Sequence, residues 1–320
     1  MAKVSNGEIA RKNTSNDFFM ASFGNKEELP VEAGRYRLIW AAICPWAHRS
    51  VIVRKLLGLE NVISLGTVNS IRTENGWEFS LDDGGIDPIL GIRFLSEVYV
   101  NADPEFNGRS TVPAVVDVTT KKVVHNDYLN LTNDLETIWK PFHKESAPDI
   151  YPEHLRQEID ELNKILHNDI NNGVYKCRSA HSQEEYELAY ETFFNRLDEL
   201  ESRLSTQRYL FGDFITDSDI RLFVTLVRFD VVYHSLFKAN RNRLIDFPNL
   251  WAYARDLYQT PGFGDTTDFE AIKKGYYASS NGEDNPLKIV PKGPDVSGWD
   301  TPHGRENLTI NNTILVSKKK

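Results

Sequence analysis

Cysteine is scarce: Cys44 and Cys177 are the only two in 320 residues. A secreted disulfide scaffold needs more, so the chain reads as one kept in a reducing compartment, and a cytoplasmic location is expected. Long apolar runs are missing. None approaches the roughly 18 residues of a membrane span, and the polar opening stretch, residues 1–13, has no apolar signal core. Positive charge is in deficit. Lys and Arg number 37 against 46 Asp and Glu, a net charge of −9, which disfavours general affinity for nucleic acid or an anionic membrane. There is no Gly-x-Gly-x-x-Gly or phosphate-loop pattern, so a nucleotide cofactor is not expected. None of the eight histidines is spaced with Cys or Asp as zinc ligands are. Asp82, Asp83 and Asp87 read as a solvated polar loop rather than a cation site. The expectation is no tightly bound cofactor, no metal, no nucleic-acid partner and no membrane partner.

What is present is globular composition, 40% hydrophobic and 26% charged, at a length that favours two domains. Residues 1–33 are polar and read as an arm. Residues 35–42 have strand character, and Pro45 suits the first turn of a helix that runs from 46 to 59. Residues 61–68 form a second strand, so the opening is a βαβ unit with a parallel pair. Residues 69–91 are a long loop, of the kind that is often functional. A short helix over 93–100, strands over 114–118 and 123–125, and a helix over 126–139 complete a first domain, 34–145. Residues 141–152 hold three prolines and make a linker. Apolar residues at helical spacing over 154–172, 182–204, 218–238 and 249–259 give an all-helical second domain, 153–280. Thr216 and Asp219 resemble a capping box before the most apolar of these helices. Residues 281–320 form a Gly/Pro/Asn-rich tail.

Strand–Cys44-Pro45-Trp46-Ala47–helix carries the chemistry. A cysteine at a helix N-terminus meets unpaired N–H groups and the positive end of the helix dipole. Both favour thiolate, so Cys44 is expected to titrate below an ordinary thiol. His48 and Arg49 are candidate sources of further positive charge. Position 47 is Ala, so no resolving thiol stands beside Cys44, and it would form its mixed disulfide with an outside thiol. The competing reading is a buried structural cysteine. Thr111-Val112-Pro113-Ala114 precedes a strand. A cis proline there would expose the Val112 backbone to an extended, peptide-like ligand; an ordinary edge-strand proline is the alternative.

Together these pieces resemble the glutathione transferase architecture. The motifs Cys44-Pro-Trp-Ala-His-Arg49, Gly76-Trp77-x-Phe79, Ala102-Asp-Pro104, Gly108-Arg-x-Thr-Val-Pro113 and Asn172-Gly-Val-Tyr-Lys176 resemble, more narrowly, the glutathionyl-hydroquinone reductases, the Xi class of that superfamily. So do Arg228-Phe-Asp-x-Val-Tyr233, Phe237-Lys238, Pro248-Asn-Leu-Trp251, Tyr276-Tyr277 and Asn285-Pro-x-x-Ile-Val-Pro-x-Gly-Pro294. The resemblance spans roughly residues 7–295. It implies an α/β thioredoxin-like N-terminal domain followed by an all-α C-terminal domain, assembled as a homodimer. The implied reaction is thiol-dependent reduction of S-glutathionyl-hydroquinones. Cys44 is the implied nucleophile, Tyr175, Tyr233 and Tyr276 line the hydroquinone site, and Trp77 and Val112 bind glutathione. Glutathione, or a related low-molecular-weight thiol, is then a co-substrate and the quinol conjugate a small-molecule partner.

Three places depart from the family pattern, one of them Ala239, where the family's Phe-Lys-Cys-Asn run carries a cysteine. Where the family carries Val-Asn-Asn-Glu-Ser, with Glu and Ser holding the γ-glutamyl end of glutathione, this chain reads Val124-His125-Asn126-Asp127-Tyr128. A phenol at 128 is expected to fill that pocket or shift the ligand. After Lys176 the chain has Cys177-Arg178-Ser179 where a small-plus-aromatic stretch is common, which alters the acceptor pocket; Cys177 itself reads as an unreactive thiol. Two rival readings follow. One is a Cys44-dependent thiol transferase or deglutathionylase using a smaller thiol such as γ-glutamylcysteine. The other is a non-catalytic ligand-binding protein on the same scaffold.

Overall fold

The computed structural model describes residues 19, 21, 23–24, 29–279 and 285–309. The expected arm and tail therefore fall largely or partly outside the described residues.

The first half is built on one four-stranded sheet of order β2-β1-β3-β4. The central strand β1 (Tyr36–Trp40) is buried at every residue, as a strand covered on both faces must be. It runs parallel to β2 (Ile63–Thr67), with Leu38 opposite Leu65. It runs antiparallel to β3 (Ala114–Asp117), with Leu38 opposite Val115. β3 returns as a hairpin into β4 (Lys122–His125). Helix α1 (Pro45–Leu56) crosses from β1 to β2, with Cys44 in extended backbone as its N-cap and Pro45 opening its first turn. Arg54 ties the far end of α1 to β2 by donating to the Ile63 carbonyl.

The loop after β2 has more order than its composition indicates. Asn69 N–H donates to the Glu78 carbonyl at 2.8 Å, and Leu95 N–H to the Trp77 carbonyl at 3.0 Å. Asp87 is not solvated as expected. It is fully buried, pairs with the Arg37 guanidinium at 2.8 Å and accepts the Leu90 N–H. A buried arginine on β1 needs that counter-charge. Helix α2 (Ser96–Ala102) starts later than residue 93 because the Glu97 carboxylate accepts the Arg93 and Phe94 N–H groups. Helix α3 (Leu131–Thr137) is shorter than the expected 126–139. Its lead-in is a turn in which Asp127 accepts the Leu129 N–H and its carbonyl the Leu131 N–H.

The second half is helical. Helix α4 (Arg156–Ile165) passes into a π-helical stretch, Leu166–Asn171, and then α5 (Gly173–Ser179). Next come α6 (Gln183–Arg203) and α7 (Asp217–Arg228). A second π stretch, Phe229–Tyr233, leads into the short α8 (His234–Leu236). Helices α9 (Pro248–Gln259) and α10 (Phe269–Ala278) follow. The expected Thr216/Asp219 capping box is present, and α7 is buried along its whole length. Helix α10 escapes the hydrophobic pattern; it starts on an Asp268 cap and carries Gly275 inside it, a poor helix former.

Helix α7 joins the halves. Arg221 donates to the Leu129 carbonyl, Thr132 Oγ1 and Asn133 Oδ1 around the start of α3. Arg228 donates to the carbonyls of Ala42 at 2.8 Å and Ile43 at 3.0 Å. The segment 285–309 lies along the helical half. Arg305 donates to the carbonyls of Leu204, Gln207 and Arg208, and Trp299 meets Trp251, Tyr258 and Phe269 edge to face or tilted. Among the described residues no helix is long and apolar enough to cross a membrane.

Candidate active site

Cys44 stands where β1 ends and α1 begins. Its sulfur accepts the Ala47 N–H at 3.5 Å, one of the amides a helix start leaves unpaired. Its thiol donates to the Val112 carbonyl at 3.4 Å. The side chain is half-buried, yet protein crowds it closely. Burial pushes the thiol above its ordinary value, outweighing the Ala47 and Trp46 N–H groups and the charges of Arg228 and Arg49, which pull it down. This corrects the expectation of a depressed value: the helix start does act as predicted, but desolvation is larger.

The positive charge near the sulfur is also distributed differently. His48 is fully buried and is held neutral, well below its ordinary value, by burial and by Arg228. Its Nδ1 faces Arg228 Nη1 at 3.2 Å, and its Nε2 meets Thr266 Oγ1 at 2.9 Å. Arg49 is fully buried over the Trp46 ring, 4.7 Å from its centroid. Burial and Arg221 lower it to about 9, so it remains charged at neutral pH. Sequence reasoning assigned no role to Arg228, which anchors the two carbonyls preceding Cys44; it lies 184 residues away, within a resembled stretch but with no local signal.

The peptide bond Val112–Pro113 is cis. Trp77 sits at the cavity wall, presented by a Thr73–Gly76 turn whose Gly76 has φ +99°, a value suited to glycine. Asp127 is buried, and its carboxylate is occupied by the Leu129 N–H and by Asn130 Nδ2 at 2.6 Å. The Tyr128 ring neither fills nor lines the cavity. It leans on Trp46, centroids 5.2 Å apart, and beyond it on His167. Burial, aided by Arg49 and other cations, lowers His167 to about 4.

Across the cleft from Cys44 stand the three tyrosines. Tyr175 and Tyr276 are 2.6 Å apart at their hydroxyls, Tyr233 and Tyr276 3.0 Å, and Tyr175 and Tyr233 3.5 Å. The π stretch after α7 contributes Tyr233, and α5, which follows the other π stretch, contributes Tyr175; such stretches recur at functional sites. Burial holds all three phenols above their ordinary value, so they are neutral donors. Only Tyr175 and Tyr276 reach the cavity; Tyr233 is fully buried behind them. Gly275 makes this possible. A Cβ there would stand 2.7 Å from Ile43 Cδ1 and 2.8 Å from the Ser70 carbonyl, so α10 can press Tyr276 against the Cys44 loop only with glycine.

The cavity between these walls holds about 170 Å³. Cys44, Pro45 and Trp46 form its floor with Ile43 beside them. The first half adds Arg72, Trp77 and Arg109 to the lining, and the helical half Tyr175, Arg178, Gly275, Tyr276 and Ser279. The structure thus gathers Cys44, Trp77, Tyr175 and Tyr276 at one opening, with Val112 touching the sulfur, and leaves Tyr233, Asp127 and Tyr128 outside the lining. The three arginines were not assigned from the sequence. Cys177 points away into the core, where burial pushes its thiol to about 11. Among the described residues no group of three His, Cys, Asp or Glu side chains is placed to hold a metal.

Comparison with known proteins matches residues 43–138 to the family Glutathione S-transferase, N-terminal domain, and residues 183–256 to Glutathione S-transferase, C-terminal domain. The glutathionyl-hydroquinone reductase YqjG of Escherichia coli K12 is 41% identical over 281 residues, 86% of this chain and 84% of that one. Its glutathione-bound structure has a TM-score of 0.81 to this chain at 42% identity, covering 86% and 89% of the two. A glutathione transferase from Gordonia bronchialis matches with a TM-score of 0.86 and 55% identity, covering 88% and 87%. A Xi-class glutathione transferase from Natrialba magadii matches at 0.85 and 37%, covering 91% of each chain.

Proposed function

This chain belongs to the glutathionyl-hydroquinone reductases, the Xi class of glutathione transferases, and from that premise we propose that it reduces S-glutathionyl-hydroquinones through a mixed disulfide on Cys44. The observation that carries the reading is the Cys44 sulfur, at a helix start, facing the Tyr175–Tyr276 hydroxyl pair across one cavity. The Cys44 thiolate attacks the sulfur of the conjugate. The S–C bond breaks, its electron pair passes to the ring carbon, and that carbon takes a proton to give the hydroquinone. Cys44 is left disulfide-bonded to glutathione. A second glutathione thiolate attacks this disulfide, releasing oxidised glutathione and the Cys44 thiolate; its proton balances the one taken by the ring. One difficult substitution is thus divided in two. Tyr175 and Tyr276, as neutral donors, steady the charge on the quinol oxygen as the ring leaves, while Tyr233 orients them. Trp77 and the Val112 backbone hold the thiol peptide in extended form.

The test is quinol release from glutathionyl-menadiol with glutathione, for the wild-type chain and Cys44→Ala. Turnover that needs Cys44 supports the reading. No turnover beside an unreactive Cys44 sinks it and leaves a binding scaffold. One observation favours a variant of the reading: the Asp127 carboxylate is already occupied by Leu129 and Asn130, so the γ-glutamyl end of glutathione meets fewer open acceptors here. Turnover with a thiol that lacks the γ-glutamyl group, such as cysteine, but not with glutathione would select that variant. The reading also makes the protein a cytoplasmic homodimer through its helical half, where Leu188 of α6 stands 68% exposed; light scattering at micromolar concentration tests the dimer.

A further inference from the structure

Arg228 closes α7 and is fully buried where the two halves meet. Its Nη2–H donates to the Ala42 carbonyl at 2.8 Å and its Nε–H to the Ile43 carbonyl at 3.0 Å, so one fork spans the two peptide units that lead into Cys44. Nη1 donates to the Val224 carbonyl at 2.8 Å, one turn back on the same helix, and to His48 Nδ1 at 3.2 Å. A guanidinium cannot accept a hydrogen bond, so His48 carries its hydrogen on Nε2 and donates it to Thr266 Oγ1 at 2.9 Å. Thr266 in turn donates to the Gly262 or Phe263 carbonyl. Every one of these partners is neutral. Arg37, Arg208 and Arg221 are buried as well, but each pairs with an aspartate, at 2.8, 2.6 and 2.6 Å. Among the described residues Arg228 has no carboxylate partner. A buried cation without a counter-charge is unfavourable, and a thiolate on Cys44, the residue after the clamped carbonyls, would supply one.

We propose that Arg228 is a positioning residue for the nucleophile: its fork sets the loop that presents Cys44, and its charge is the counter-ion of the Cys44 thiolate, so that the helical half completes the nucleophile of the first. In turnover this role rests on the reductase reading; as a property of the thiol it does not. Of the charges that draw the thiol down, Arg228 is the strongest. Arg49 of α1 also faces the sulfur, but the Asp217 carboxylate and Arg221 act on it too. Arg72, Arg109 and Arg178 line the cavity and are only part-buried, so water and salt screen them. Tyr175, Tyr233 and Tyr276 are neutral, as is His48. The cation that is both buried and matched only by neutral groups is the one from α7.

The experiment is alkylation by iodoacetamide across the alkaline range, on the purified full chain carrying Cys177→Ala, which leaves Cys44 as its one thiol. The reagent is neutral, so loss of a cation does not alter its approach. Removing an opposite charge beside a thiolate raises the thiol by about one unit or more. The greater nucleophilicity of the more basic thiolate offsets roughly half of the resulting loss on a logarithmic scale, so Arg228→Gln is expected to slow alkylation at pH 8 at least about threefold and to recover at higher pH. Arg228→Lys keeps the charge without the fork. It is expected to restore most of that rate, yet to lower kcat for quinol release from glutathionyl-menadiol. A purely structural role would lower Tm and leave the shape of the pH profile unchanged. Coincident profiles for wild type and Arg228→Gln, faster alkylation of the glutamine variant at pH 8, or a lysine variant as slow as the glutamine one overturn the proposal, and a lysine variant with full kcat overturns the part given to the fork. A second pair keeps Arg228 in place and decides the matter where the glutamine variant does not fold. His48→Asp sets a carboxylate against Nη1, and His48→Asn a neutral acceptor of the same shape. The aspartate variant is expected to react at least about threefold more slowly than the asparagine variant at pH 8; equal rates overturn the counter-ion. No alkylation arm needs turnover, so these results stand apart from the fate of the reductase reading.

Discussion

The Val112 carbonyl takes the thiol hydrogen of Cys44 across 3.4 Å, so the backbone proposed to pair with an extended thiol ligand also holds the proton of the nucleophile. A carbonyl in that position favours thiol over thiolate, in the same direction as burial. A ligand N–H that engages Val112 would occupy that oxygen and weaken its hold on the proton. Binding and activation of Cys44 are thereby coupled through one atom.

The pH dependence follows with a definite sign. The Cys44 thiol titrates above its ordinary value in the unliganded protein, so at neutral pH it is mostly protonated. Its alkylation by iodoacetamide should rise about tenfold per pH unit and level off only above the ordinary thiol range of about 8.5. A saturating product analogue that pairs with Val112 but leaves the sulfur accessible should shift the plateau to lower pH. Alkylation already at its plateau at pH 7 in the unliganded protein would contradict the assignment.

The tyrosines should separate by their reach into the cavity. Tyr175→Phe and Tyr276→Phe each remove a donor that faces the substrate, and each should lower kcat by roughly 10²-fold, as loss of one preorganised donor does. Tyr233 is fully buried behind them, so Tyr233→Phe should cost less than either. Steady-state quinol release measures all three; a Tyr233→Phe defect larger than the other two would reverse the proposed roles.

Much of this was legible in the sequence because it is local. A strand running into Cys44-Pro45 is a helix start whatever surrounds it, and Thr216 with Asp219 states its own cap. The sheet and the four main helices follow from period-2 and period-3.6 patterns. What was not legible depends on residues distant in the chain. The direction of the Cys44 shift is set by how deeply Val112 and the helical half enclose it. Asp87 looks like a solvated loop residue until Arg37 on β1 is seen to need it. Helix α10 packs on Ile43 through Gly275, a contact 232 residues apart that no local pattern announces. Tyr128 could be recognised as a departure, but only Trp46 and His167 show where its ring goes.

Gly275 gives the next prediction. Its α-carbon admits no side chain without displacing Ile43 or the Ser70 carbonyl. Gly275→Ala removes a poor helix former, which alone would stabilise α10 by up to about 1 kcal/mol. Overpacking of roughly 1–3 kcal/mol opposes that gain. The net effect should be a lower Tm, and kcat should fall further than the Tm shift explains, because Tyr276 is the adjacent residue and Ile43 adjoins Cys44. A stabilised, fully active variant would show that the close approach is not needed.

Glu136 sets the stability of the join between the halves against pH. It is buried on α3, accepts Asn133 Nδ2 at 3.1 Å through Oε2, and meets the Asp217 carboxylate, a contact that favours its protonated form. Burial and the charge of Asp217 push its carboxyl well above the ordinary range, with Arg221 opposing. The folded chain therefore keeps this proton where the unfolded chain releases it. Its contribution is fully present below the unfolded value of about 4.3 and is lost as pH rises from there through the folded value. Glu136→Gln removes the titration while keeping the shape and an acceptor for Asn133. Its Tm should exceed that of the wild type at pH 8, and the gap should close or reverse near pH 5. Melting curves that stay parallel from pH 5 to 8 would show that the carboxyl does not hold its proton in the fold.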